Sequence, residues 1–145
     1  MKARNGFTLL ELMVVIVVLG LLAGLVGPQI LGRVSEAKTT TAQTQIEMLA
    51  TALDTYRLDN GVYPSNEQGL DALRDKPAHG DATANWHGPY LRKPVPLDPW
   101  GRAYMYRVSD DLSSFEIVSL GADGRAGGTG DDVDLSSNLG LRTRE

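Results

Sequence analysis

The 145-residue sequence contains no cysteine, which excludes a disulfide framework, a thiolate metal site and a cysteine nucleophile. A small domain without those staples must hold its loops some other way. Histidine is nearly absent too. His79 and His87 are the only two, both lie in a proline-rich stretch, and neither belongs to an H-E-x-x-H pattern. G-x-S-x-G and a phosphate-binding glycine-lysine loop are also missing, so the chain is read as a non-enzyme with no nucleotide site of its own. Basic side chains number 14 against 18 acidic ones, a formal net charge of -4. No nucleic acid is expected as a partner, because phosphate binding needs a basic surface.

What is present begins with a long apolar run. Of the twenty residues from Phe7 to Val26, only Thr8 and Glu11 are strongly polar. As a helix this run spans about 30 Å, the thickness of a hydrocarbon core. Lys2 and Arg4 precede it, and the positive-inside rule then puts the start in the cytoplasm. A secretory signal peptide cut near Ala23 to Gly27 and a plain membrane anchor are two ways to read it. Both leave Glu11 unexplained, although a carboxylate inside a lipid-embedded helix costs about 2.5 to 3.5 kcal/mol. A cut after Gly6 offers a third reading. Phe7 becomes the amino terminus, and its ammonium in a neighbouring copy can pair with Glu11 where the dielectric is low.

The residues Gly6-Phe7-Thr8-Leu9-Leu10-Glu11, followed by Leu12 to Val26, resemble the leader of type IV pilins and type II secretion pseudopilins. The resemblance implies that a prepilin peptidase cuts after Gly6 and methylates Phe7, and that Glu11 docks each subunit onto the last one added.

Further along, Gly20, Gly24 and Gly27 lead into Pro28, which predicts a section that kinks or partly unwinds. Gly20 and Gly24 also have the small-xxx-small spacing of closely packed membrane helices. Val34, Ile46, Leu49, Ala50, Leu53 and Tyr56 then recur at three- and four-residue steps between charged residues, the pattern of an amphipathic helix with one face toward a core. Asn60-Gly61 is its expected stop.

The remainder is expected to be a small α+β part. Ser65-Asn66-Glu67-Gln68 has capping-box spacing ahead of a short helix over about Asn66 to Arg74. Lys76 to Trp100 holds five of the seven prolines and reads as a long loop packed on the surface. Trp86 and Trp100 are expected to pack in it, and Asp98-Pro99-Trp100-Gly101 to form a turn. Strands are expected over Ala103 to Val108 and Ser114 to Ser119 as a hairpin, with a third near Val133 to Leu135. The chain therefore divides into a leader (residues 1–6), a transmembrane or filament-core helix (7–28), an amphipathic helix (29–59) and a globular part (60–145). The fold class is α+β and pilin-like: a long N-terminal helix, its first half membrane-spanning, packed on a small antiparallel sheet.

Between Ser119 and Asp134 lie four aspartates, five glycines and one cation, Arg125. Carboxylates this close repel one another unless a cation or water intervenes, and oxygen donors spaced by flexible glycines suit calcium. The loop is not an EF-hand, and its single match to a calcium β-roll repeat lacks the further copies such a fold needs. An ion-free polar loop is the competing reading.

Three stretches, Leu58 to Pro77, Gly88 to Arg107 and Ser119 to Asp134, resemble the major pseudopilins of type II secretion, which lack the disulfide loop of usual pilins. That resemblance implies calcium bound by the carboxylates of Asp123, Asp132 and Asp134, with Asp131 as an alternate, and by the backbone carbonyl of Leu120. It also implies a helical homopolymer that drives protein export. The implied partners are the prepilin peptidase, the inner-membrane assembly platform and minor pseudopilins. The implied location is the bacterial inner membrane, single-pass, with the C-terminal part in the periplasm and a periplasmic pseudopilus after assembly. A type IV pilin subunit and an envelope-tethered, calcium-dependent binding module are the rival functions. His79 to His87 is read as a variable insertion, and residues 135–145 as an undistinctive tail.

Overall fold

The computed structural model describes residues 6–78 and 85–138, with the side chains of residues 26–31 outside that set. Lys2 and Arg4, most of the insertion (79–84) and the end of the tail (139–145) therefore lie outside the described residues.

One helix, α1 (Leu9–Asn60), accounts for 52 residues. Its start is set locally: the Glu11 amide donates to the Thr8 hydroxyl oxygen (3.3 Å) and the Leu12 amide to the Thr8 carbonyl (3.2 Å). Thr8 thus satisfies one of the amides that a helix start leaves unpaired, and its carbonyl accepts the first bond of the helical ladder. At the other end, Gly61 takes φ 82°, a conformation that glycine adopts without steric cost, and donates its amide to the Arg57 carbonyl (2.8 Å). The stop falls at the expected Asn60-Gly61. The expected unwinding from Gly20 to Pro28 does not occur, since the backbone is helical throughout that section. One proline forfeits a single amide, a cost of about 3 kcal/mol, and helix already formed on both sides propagates across it.

The chain forms two compact units, residues 1–36 and 37–145. In the first, the large apolar side chains from Phe7 to Leu25 are all exposed, and so is Val34 at 50 %, contrary to the expectation that Val34 belongs to the core face. The buried face begins about two turns later, at Ala42.

In the second unit, Ala42, Ile46, Leu49, Ala52, Leu53 and Tyr56 of α1 are buried in one core with Tyr63, Leu70, Leu73, Leu91, Tyr104, Ile117 and Leu135. Leu49, Leu53, Tyr56, Leu73 and Ile117 are sealed completely, and burial of an apolar side chain of this size contributes about 1.5–3 kcal/mol. After α1 the expected capping box forms in both directions: the Gln68 amide donates to Ser65 Oγ (3.2 Å), and the Ser65 amide to Gln68 Oε1 (2.9 Å). Beyond the box come a turn and a 3-10 segment, Leu70–Leu73, rather than an α-helix from Asn66 to Arg74. Gly69, at φ 58° and ψ -161°, breaks the α-helical path.

The sheet has three antiparallel strands in the order β1 (Met105–Val108), β2 (Phe115–Ser119) and β3 (Leu135–Ser136). Met105 faces Val118 and Val108 faces Phe115 in the hairpin, while Leu135 pairs with Ser119. The first two strands fall within their expected ranges, and the third overlaps its own at Leu135 and runs one residue beyond it. The described part of the proline-rich stretch goes further than a surface loop: Leu91 is buried in the core, and Trp86, Tyr90, Val95 and Trp100 pack against it. Trp86 donates its indole N–H to the Ala72 carbonyl (2.9 Å) and meets Tyr90 edge-on, and the amides of Tyr90 and Leu91 both reach the Leu73 carbonyl.

Candidate functional site

Two regions carry the candidate residues. At the start of α1, Gly6 and Phe7 precede the helix, and Phe7 is 82 % exposed. Glu11 sits in the first turn, where an acidic side chain also meets the positive end of the helix dipole. Thr8-Leu9-Leu10-Glu11 has the T-x-x-E spacing of a capping box, and the Thr8 half of it forms. Reading Glu11 only as a charge in oil misses this cap, although the spacing displays it. No ion pair of Glu11 exists among the described residues. From Leu9 to Leu25 the exposed apolar residues include Leu9, Leu10, Leu12, Met13, Ile16, Leu19 and Leu22, which cover every side of the helix. Among the described residues no helix is long and apolar enough to cross a membrane. The apolar run read from the sequence ends at Val26, whose side chain lies outside the described set.

The second region is the aspartate loop between β2 and β3. Its conformation rests on glycine. Gly121 (φ 63°) and Gly128 (φ 102°) are left-handed, and a Cβ on either would collide with backbone between Asp131 and Val133. The chain closes on itself through the Ala122 amide to the Asp131 carbonyl (2.9 Å) and the Gly124 amide to the Leu120 carbonyl (3.2 Å). A short 3-10 turn, Gly130–Asp132, leads back toward β3.

Within this loop Asp123 Oδ1 accepts the Arg125 amide (2.9 Å) and Asp134 Oδ2 accepts the Gly127 amide (2.8 Å). The other oxygen of Asp134, Oδ1, is buried without a partner. Asp123 and Asp131 are exposed, and Asp132 is half-buried. No three carboxylates or histidines among the described residues are gathered closely enough to hold a metal. The donor chemistry nevertheless fits a hard cation. Every candidate atom is an oxygen, and a buried carboxylate oxygen with no partner is an open donor.

Under the loop lies a polar anchor that the sequence displays only as a turn. Asp98 is 4 % exposed. Its Oδ1 accepts the amides of Trp100 (3.1 Å) and Arg102 (2.8 Å), and its Oδ2 accepts the Ser119 hydroxyl (2.7 Å) at the end of β2. Arg102 then donates through both terminal nitrogens to consecutive loop carbonyls, Gly121 (2.8 Å) and Ala122 (2.9 Å). Nearby, burial pushes the Tyr104 phenol well above its usual range, and the Asp98 carboxylate adds to that rise. The expected turn is present, with the Gly101 amide on the Asp98 carbonyl (2.9 Å). Its partners in β2 and the loop have no signal in local sequence.

Residues 29–138 match the family model described as "Type II secretion system (T2SS), protein G". The chain belongs to the type II secretion system protein G family. Residues 1–27 match the "Prokaryotic N-terminal methylation motif". Among its relatives, the type II secretion system core protein G of Pseudomonas aeruginosa is 46 % identical over 136 residues, covering 94 % of this chain and 96 % of the relative. The Vibrio cholerae protein of the same name is 44 % identical, with 94 % and 93 % covered. The fold agrees as well. The crystal structure of the major pseudopilin from the type 2 secretion system of enterohaemorrhagic Escherichia coli aligns with a TM-score of 0.60 at 35 % identity, covering 74 % of this chain and 91 % of that one. This protein G family member is accordingly a pseudopilus subunit, with the long helix on a small three-stranded sheet that the fold requires.

Proposed function

We propose that this protein is the major subunit of a type II secretion pseudopilus. It is cut after Gly6 by a prepilin peptidase, N-methylated on Phe7 and stored in the inner membrane with its C-terminal part in the periplasm. The assembly platform then draws it into a helical homopolymer, tipped by minor pseudopilins, that drives protein export across the outer membrane. The observation that carries this reading is an apolar helix, Leu9 to Leu25, exposed on all sides and interrupted by a single carboxylate, Glu11, directly after a methylation motif. Such a surface is stable only against lipid or against other copies of itself.

The role is mechanical rather than catalytic. Apolar helices leave lipid for a shared filament interior, and the Phe7 ammonium of one copy meets Glu11 of the next. Two unit charges about 4 Å apart attract by about 4 kcal/mol at an effective dielectric of 20, enough to favour one register over its neighbours. The work of extrusion comes from another component.

Calcium is proposed as a structural ion. The carboxylates of Asp123, Asp132 and Asp134, with Asp131 as an alternate, and the Leu120 carbonyl would hold it. It would supply positive charge to a loop crowded with carboxylates, and because it binds only the folded loop it would raise stability, by about 2.7 kcal/mol at a hundredfold excess over its dissociation constant.

The test is a pair of measurements on the protein made in a cell with the secretion machinery. Mass spectrometry should find a mature chain starting at N-methylated Phe7. Glu11→Ala should enter the membrane at wild-type level yet give at least tenfold less sheared or cross-linked filament. A mature chain that starts beyond Pro28, or a Glu11→Ala protein that polymerises normally, would overturn the assignment.

A further inference from the structure

The loop between β2 and β3 is held by a cation that it does not itself contain. Arg102 leaves the turn after Asp98 and reaches beneath the loop. Its planar fork bridges the carbonyls of Gly121 and Ala122, at 2.8 and 2.9 Å, and no carboxylate lies within ion-pair distance of it among the described residues. The two bridged carbonyls lie between Leu120 and Asp123, two of the candidate calcium ligands. Arg102 is itself fixed at the backbone, because its amide donates to buried Asp98, which also binds Ser119 of β2. Gly124 completes the seat. A Cβ there would stand 2.5 Å from Arg102 Nε and 2.8 Å from Cζ, so a side chain at this position would push the guanidinium from its place.

From this arrangement we infer that Arg102 is a positioning residue for the cation loop: it pins the Gly121–Ala122 backbone so that the Leu120 carbonyl and the Asp123 carboxylate are held in place before an ion arrives. The inference rests on the calcium reading above. Charge and geometry here act in opposite directions. A guanidinium close to a calcium site repels the ion, so if charge alone mattered, removing it would tighten binding. A fork that orders two ligands instead improves binding by lowering the ordering cost, and partners one step behind the ligands typically contribute 10–100-fold to metal affinity. Lysine keeps the charge but cannot bridge two carbonyls as a rigid fork.

The experiment uses the full chain in detergent micelles, comparing wild type, Arg102→Lys and Arg102→Gln. Thermal unfolding is followed across a calcium titration, with magnesium as the control ion. The expected result is that wild type shifts upward with calcium and not with magnesium. Both variants should need about tenfold more calcium, or more, for half of that shift. A wild type that ignores calcium removes the ion reading itself. Equal calcium midpoints in wild type and Arg102→Lys remove the positioning role and leave the ion in place, and tighter binding in Arg102→Gln would make the effect one of charge. Amide hydrogen exchange in calcium-free buffer supplies a readout independent of the ion. The Ala122 and Gly124 amides, bonded to the Asp131 and Leu120 carbonyls, should exchange at least about threefold faster in Arg102→Lys, while the Ile117 amide in β2 is unchanged. Unchanged exchange at both loop amides would overturn the clamp whatever calcium does.

Discussion

One helix, α1, has two stretches in opposite circumstances. From Leu9 to Leu25 the described large apolar side chains range from 46 % exposed at Val15 to 77 % at Leu9. From Ala42 to Tyr56 the apolar face is at most 6 % exposed. Helix propensity does not decide it: the earlier stretch mixes seven leucines with five β-branched residues and two glycines, the later one three alanines and two leucines with three threonines, and both are helical. The difference is in what covers them. The later stretch shows its own chain one apolar face, and charged or threonine-bearing faces elsewhere. Thr41, Thr44, Thr51 and Thr55 each return their hydroxyl to a carbonyl one turn back. The earlier stretch is apolar all round, and its large side chains are all exposed. On the reading proposed above, its cover comes from other subunits in the filament, so assembly belongs to this half of the helix and folding to the other.

That contrast breaks most sharply under one pair of substitutions. Leu53→Ala should lower the stability of the globular unit by about 2–5 kcal/mol in denaturant unfolding, because Leu53 is fully enclosed and the truncation leaves a cavity. Leu19→Ala, exposed at 58 %, should leave that unfolding curve unchanged within about 0.5 kcal/mol and show its effect only in filament yield. Equal destabilisation by both would mean that the two halves fold as one.

A second, smaller effect tests the anchor beneath the loop. Asp98→Ala removes the acceptor for two amides and one hydroxyl in a buried place, and leaving such donors unpaired costs about 1–3 kcal/mol. Asp98→Asn should lose less, because its amide oxygen can still receive the two backbone amides and the Ser119 hydroxyl can turn to accept. Asp98→Ala should also raise the calcium requirement in the direction of the Arg102 variants, since it releases the turn from which Arg102 reaches. Thermal unfolding of the two Asp98 variants, with and without calcium, checks both statements.

Near and distant partners also separate what is legible in the sequence from what is not. The helix stop at Asn60-Gly61, the Ser65–Gln68 box and the β1–β2 hairpin are readable because their partners lie within a few residues. Glu11 is readable as an anomaly in oil, but its place after Thr8 in a helix cap is easily passed over beside that charge. Gly69 turns an expected α-helix into a 3-10 turn because one left-handed residue overrides the apolar period around it. The third strand lies at Leu135–Ser136 rather than Val133–Leu135, since its register is fixed by Ser119 and Val118, far along the chain. Asp98 and Arg102 are opaque for the same reason: Ser119, Gly121 and Ala122 are their partners only once β2 has paired with β1. Composition displays an acidic, glycine-rich loop, and the resemblance to major pseudopilins names Asp123, Asp131, Asp132 and Asp134 in it as candidate ligands, but neither shows that the described residues are not gathered into a cluster of three.

The smallest effect distinguishes the covered stretch of α1 by pH. Burial pushes up the phenols of Tyr56, Tyr63, Tyr90, Tyr104 and Tyr106, and the effect is largest at Tyr104 and Tyr106. A folded-state pKa above the unfolded value means that stability is complete below about pH 10 and declines as pH rises further, because the unfolded chain sheds protons that the folded chain keeps. The melting temperature of the globular unit should therefore fall by about 5 °C between pH 9 and pH 11. Tyr106→Phe should flatten that fall, although it starts from a lower melting temperature because Tyr106 donates its hydroxyl to the Pro64 carbonyl (2.8 Å). The first stretch of α1 contains no tyrosine, so substitutions there should leave the alkaline slope as it is. A slope that moved with Leu19→Ala would tie the exposed half of the helix to the core after all.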